Sequence, residues 1–278
     1  MHVLRDLRFL LPATIAFIVI FVAVTAPLIS PHSYYQLSLP QKLRPPFWQE
    51  GGSLEYPLGT DSLGRDILSR MIGGARISLV ASMLSILIGA ALGISIGVIS
   101  AYKGGIVDSL LMRVCDGFLS FPMILLAMIL AIAIGPSMLT VVLAIGLVVW
   151  ARYARVIRSE ALSLKERDFV AYARMVSCSE LRILMRHFLP NLMGTILVLT
   201  TLQIGWAIVV EASLSFIGAG IPPPQPSWGG MVASGREYIG MAWWLTFFPG
   251  MAIAITVLAF NYLGDWLRDH LDPKLREL

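Results

Sequence analysis

Five stretches of this chain, at roughly 9–41, 77–102, 117–151, 187–210 and 238–264, contain no Asp, Glu, Lys or Arg. A helix that crosses a bilayer needs about 20 mainly apolar residues, so each stretch accommodates at least one crossing. The composition agrees: 57% of residues are hydrophobic and 14% charged, against about 25% charged in a soluble domain. The expected class is therefore an all-α membrane protein. The stretch 117–151 is too long for one span and is interrupted by Gly135-Pro136-Ser137, a turn signal that splits it in two. About six spans follow, near 9–30, 78–101, 113–134, 138–152, 191–212 and 241–264. The fourth is short, which leaves open five spans plus a re-entrant piece.

Arg5 and Arg8 precede the first stretch, as they would in a secretory signal. Its apolar core exceeds the roughly 7–15 residues of such signals and no small-x-small site follows, so it reads as a retained span. Lys and Arg in short loops set orientation. Arg152, Arg155, Arg158, Lys165, Arg167, Arg174, Arg182 and Arg186 lie in or beside 153–190, whereas 213–240 carries Arg236 alone among basic residues. That places 153–190, 102–112 and both termini in the cytoplasm. The net charge of +4 then reflects topology, and no nucleic-acid partner is expected. Cys115 and Cys178 fall on the same side and imply neither disulfide nor metal site.

Most of the charge sits in one internal loop, 160–191. Ser163 with Glu166, and Ser177 with Glu180, fit the S-x-x-E capping box, predicting helices over 164–175 and 178–188 before Pro190 opens the fifth span. Phe169, Ala173 and Val176 fall near one helix face, amid Lys165, Glu166, Asp168 and Arg174. Pattern alone favours a helix resting on the membrane surface.

The stretch Ala171-Tyr172-Ala173-Arg174-Met175-Val176-Ser177, followed nine residues later by His187-Phe188-Leu189-Pro190, resembles the EAA loop of bacterial ABC importer permeases. That pattern is E-A-A, three residues, G, nine residues, I-x-L-P. Ala171, Tyr172, Ser177 and His187 depart from it. Further segments resemble the dipeptide, oligopeptide, nickel and glutathione subfamily, and within it the second permease subunit. They are Leu58 to Asp66 (LGTDSLGRD), Gly74 to Leu79 (GARISL), Ser213 to Gly218 (SLSFIG), Pro222-Pro223-Pro224 with Ser227-Trp228-Gly229, and Leu258 to Asp265 (LAFNYLGD) with Leu271-Asp272-Pro273.

The resemblance implies a type I importer permease fold with a cytoplasmic coupling helix, in a bacterial inner membrane. It divides the chain into 1–75 (first span and extracytoplasmic loop), a permease core 76–265 containing the coupling loop, and a cytoplasmic tail 266–278. The implied partners are a second homologous permease, two ATP-binding subunits, an extracytoplasmic solute-binding protein and membrane lipid. Glu166, Asp168, Phe169, Ala171, Ala173, Arg174, Val176 and Ser177 would form the coupling surface to the ATPases, and peptides are the leading cargo, with nickel chelates, glutathione or another small polar solute as alternatives.

No G-x-x-x-x-G-K-[ST] occurs, so the chain is expected to be no enzyme and to hold no cofactor, with ATP and Mg bound by partners. The expected spans lack interior charges, which disfavours an ion-coupled carrier, the remote alternative. His2, His32, His187 and His270 are scattered and suggest no catalytic cluster. Gln203, Trp206 and Asn261 are the polar candidates for the translocation pathway, with helix-to-helix hydrogen bonding as the competing role. Glu211, at the end of the fifth span, either meets a solute at the outer mouth or is simply solvated. The 60–76 and 222–230 segments either seat the binding protein and gate the mouth, or pack the outer end with Trp228 as an interfacial anchor.

Overall fold

The computed structural model describes residues 2–175 and 178–271, apart from the side chains of 2–8, 171, 173, 174 and 181. Its centre is a pair of long helices, α2 (Ile67–Lys103) and α5 (Met138–Lys165). Gly89, Gly93 and Gly97 repeat every fourth residue of α2, so they form one stripe, and α5 lies directly on it. A Cβ at Gly93 would stand 2.3 Å from the Trp150 carbonyl oxygen, and one at Gly97 2.6 Å from that of Ala154. Lipid tails are as apolar as Leu and give helices no hydrophobic reason to pair, so backbone contact through small residues is how two membrane helices bind tightly.

The same contacts set topology. Gly89 faces Val149, Gly93 faces Tyr153 and Gly97 faces Ile157; both numbers rise together, so α2 and α5 run parallel. Residues 104–137 must therefore carry the chain back across. They do so as α3 (Gly105–Ser120) and α4 (Met123–Ile134), bent by 86° at the joint. Pro122 forces the bend, because the residue before a proline is pushed out of the helical region: Phe121 is extended, at φ −75° and ψ 129°. The broken crossing is thus the third, not the fourth as its shortness had suggested. The expected fourth span, 138–152, is in fact a continuous 28-residue helix.

Three further helices complete six crossings: α1 (His2–Ile29), α8 (Leu189–Phe216) and α10 (Trp244–Leu271). Gly205 abuts Val257 and Asn261, Gly264 abuts Leu202, and Gly194 abuts Leu271, so α10 runs antiparallel to α8. Phe9 stacks near Trp266 with ring centroids 4.1 Å apart. The start of α1 and the end of α10 therefore share one end of the bundle with the start of α8. Exposed Val24, Leu28 and Ile132 cover the outside, as expected where the solvent is hydrocarbon and helices satisfy their own backbone.

At the opposite end the LGTDSLGRD stretch folds into a polar knot that starts α2. Asp66 caps the helix, accepting from the Leu68 and Ser69 amides, which fills two of the free donors of its first turn. Asp61 Oδ2 takes Arg65 Nε at 2.6 Å while its Oδ1 accepts the Leu63 and Arg65 amides. Gly64 has φ +72° and its missing Cβ would lie 1.8 Å from the Ser38 carbonyl oxygen, so no other residue fits there. Trp244 Nε1 donates to the Thr60 carbonyl at 3.2 Å, fastening the start of α10 to this knot.

Candidate functional site

The charged loop forms α6 (Asp168–Met175) and α7 (Glu180–Ile183), and a five-residue π-turn, Leu184–Phe188, joins it to α8. The wide turn is the one immediately before Pro190, which has no N–H to continue a regular ladder. The first capping box does not form: Ser163 lies inside α5, which continues to Lys165. Lys165 Nζ donates at 3.0 Å to the carbonyls of both Ala101 and Tyr102, satisfying the C-terminus of α2, and the chain turns only at Glu166-Arg167. Ser177 of the second box, with Val176, lies outside the described residues.

Helix α6 is fastened from beneath. Val170 is fully buried in an apolar cluster with Val98, Ala101, Ile157, Ala161, Ile183, Phe188 and Leu192. Phe169 packs partly into the same cluster, its ring 6.0 Å from that of His187. Asp168, Tyr172 and Met175, spaced i, i+4 and i+7 and so on one face, point away, with Tyr172 67% and Met175 79% exposed. Glu166 is also exposed; Ala171, Ala173 and Arg174 lie on α6. The sequence singled out neither Tyr172 nor Met175, although their spacing from Asp168 was a usable signal. Two ion pairs brace the neighbouring helices: Arg158 holds Asp108, and Arg155 meets Asp116.

Inside the bundle, Gln203 is buried and Asn261 is partly buried, its Oδ1 2.8 Å from where a Gly205 Cβ would stand. Asn261 thus fits the notch that Gly205 leaves between α8 and α10. Trp206 receives the Arg152 guanidinium over its ring, 4.0 Å from the centroid. Glu211 is fully buried rather than solvated, and α8 continues a full turn beyond it to Phe216. Its carboxylate accepts from Ser78 Oγ at 3.0 Å and Ser215 Oγ at 2.9 Å. Ser78 Oγ in turn accepts the Trp228 amide at 3.1 Å. Trp228 opens α9 (Trp228–Gly235) and donates its Nε1 to the Met71 carbonyl at 2.9 Å. At 3% exposed it is a buried bolt between α2 and α9 rather than an interfacial anchor.

The fold brings the short helix α6 to one end of the bundle and a tightly bonded knot to the other. Residues 93–277 match the family described as the binding-protein-dependent transport system inner membrane component. The chain belongs to this family. The permease is 40% identical to the di/tripeptide transport system permease protein DppC of Pseudomonas aeruginosa, over 93% of this chain and 86% of that one. It is 43% identical to the glutathione transport system permease protein GsiD of Escherichia coli, over 81% and 75%. In fold it matches an inward-facing structure of the MetNI methionine ABC transporter, with TM-score 0.59 over 73% of this chain and 96% of that chain, at 16% identity. It is a multi-pass inner-membrane permease of the ABC importer class.

Proposed function

We propose that this permease pairs with a second, homologous permease to carry peptides inward, driven by two separate ATP-binding subunits and supplied by an extracytoplasmic solute-binding protein. ATP and Mg belong to those ATPases. The observation that carries the reading is α6: a short helix bolted to the bundle through Val170 with Asp168, Tyr172 and Met175 standing free. A surface helix merely resting on lipid has no need of a buried apolar anchor, whereas a helix that transmits force does. In this reading the α6 end and both termini are cytoplasmic, in keeping with the Arg and Lys of 155–186.

Closure of the ATPases on ATP would move α6, and the α2–α5 pair would transmit that movement to the outer end. Phe169 serves the anchor, while Glu166, Asp168, Tyr172 and Met175, with Ala171, Ala173 and Arg174 on the same helix and Val176 and Ser177 after it, form the surface that meets the ATPase. The knot at 58–66 and α9 would receive the binding protein or close the mouth. Peptide cargo follows the DppC relative; glutathione, itself a small peptide, is the second reading and follows GsiD.

The test is purification of the complex from its native membrane in mild detergent, with identification of co-purifying chains and an assay of solute-stimulated ATP hydrolysis. Recovery of a second permease, ATPase subunits and peptide-stimulated hydrolysis is expected. A chain recovered alone, transporting in vesicles on an ion gradient, would overturn the proposal.

A further inference from the structure

Four cations lie along α5, and three are answered within the chain. Arg155 meets Asp116, Arg158 meets Asp108, and Lys165 caps α2. Arg152 differs: among the described residues it has no carboxylate partner, and its guanidinium lies flat over Trp206. It is partly exposed and stands midway along α5. Its level follows from the helix contacts. Gly93 of α2 abuts Trp150 and Tyr153, and α2 ends ten residues later at Lys103, about 15 Å further along the axis. Arg152 is therefore level with the charge-free stretch of α2, 77–102, where a cation facing lipid carries a large cost. Such a charge faces water or an anion.

We propose that Arg152, stacked on Trp206, is a carboxylate-recognition point in the translocation route, taking the C-terminal carboxylate of a peptide in transit. Stacking on an indole occupies one face of the guanidinium and leaves its N–H edges free. Those edges match a carboxylate, two parallel hydrogen bonds at a time. Gln203 lies one turn before Trp206 on α8. A site this deep, holding a carboxylate through one cation, grips a passing solute without sealing it in. The inference rests on the importer reading and names a residue that reading does not use.

The test uses the whole complex in vesicles with its binding protein, comparing uptake of radiolabelled dialanine with that of dialanine amide, which lacks the carboxylate and bears a net positive charge. Wild type, Arg152→Gln and Arg152→Lys are measured with the same binding protein, whose own preference cancels in the ratio between variants. Arg152→Gln is expected to lower the acid-to-amide uptake ratio by about tenfold or more, the loss of one charge-assisted contact. Arg152→Lys should retain part of the preference. Where the amide is not carried at a measurable rate, the same tenfold fall is expected in maximal uptake of dialanine by Arg152→Gln. An unchanged ratio, or in that second case unchanged maximal uptake, overturns the proposal. So does loss of the second permease from the purified Arg152→Gln complex, which would make Arg152 a subunit contact. Failure of wild type to import either probe, or to retain ATPases, is a separate result that removes the importer reading itself.

Discussion

Arg158 holds Asp108 with two parallel hydrogen bonds, Nε to Oδ1 at 2.5 Å and Nη2 to Oδ2 at 2.6 Å. Ser100 of α2 also donates to Oδ1, so one carboxylate joins α2, α3 and α5 beside the turn that starts the broken crossing. Asp108→Asn should cost about 1 kcal/mol, since the pair is partly open to water. Arg158→Gln should cost about the same, and the double variant little more than either single one. Thermal unfolding in detergent across the four proteins checks this; fully additive losses would show that the pair contributes nothing through its mutual contact.

Gly93→Leu should prevent folding, because a side chain there meets the Trp150 carbonyl and Tyr153. Gly93→Ala is the informative variant. Its added methyl must part α2 from α5, and we expect a loss of about 1–3 kcal/mol with the α6 end still able to bind ATPases. Gly105→Ala is not a fair control, given its positive φ; Gly117→Ala, which meets open space, should be close to neutral.

Glu211→Ala would leave the hydroxyls of Ser78 and Ser215 without their acceptor in a buried site. A fall in stability of about 1–3 kcal/mol is expected, with release of α9 from α2 seen as faster proteolysis or hydrogen exchange at 222–235. If Glu211 instead served solute at the mouth, the variant would lose uptake and keep its melting temperature.

Tyr172→Ala and Met175→Ala remove exposed groups and should leave the folded permease as stable as before, to within about 0.5 kcal/mol. Both are expected to weaken retention of ATPase subunits and to uncouple ATP hydrolysis from uptake, as should Ala173→Trp and charge reversal at Asp168. Normal uptake by all four would remove α6 from the coupling role. Val170→Asp should instead unseat the helix, losing coupling together with stability.

Charge-free runs marked five of the crossings because exclusion of charge from hydrocarbon acts on sequence directly, whereas the third includes Asp108, Arg113 and Asp116 on α3. The runs misjudged the length of α5 because a helix does not stop where its charges begin when those charges find partners, and they misplaced the break because Pro122 sets it. Arg155 and Arg158 are answered by Asp116 and Asp108, some forty to fifty positions earlier, a distance no local pattern spans. The same holds for Glu211, which reads as a terminal, wet carboxylate until Ser78 and Ser215 close over it. The position of α6 was legible from the spacing of its motif, whereas the division of its faces was not, since Val170 becomes an anchor only when α2, α5 and α8 converge beneath it. Gly89, Gly93 and Gly97 were in plain sight at small-residue spacing; only their partner helix had to be learned from the fold.

The two-residue joint at Glu166-Arg167 follows directly upon α5, and backbone carbonyls of α5 meet α2 along the glycine stripe. Two rods in backbone contact have little freedom to slide or splay, so they behave as one stiff arm, about 55 Å long along α2. One end carries the handle that α6 provides, and the other is rooted in the knot where Asp66 starts α2 and Thr60 receives Trp244. On the proposed coupling reading, a tilt of only a few degrees at the handle would become a displacement of several ångströms at the far tip, enough to open or shut a mouth there.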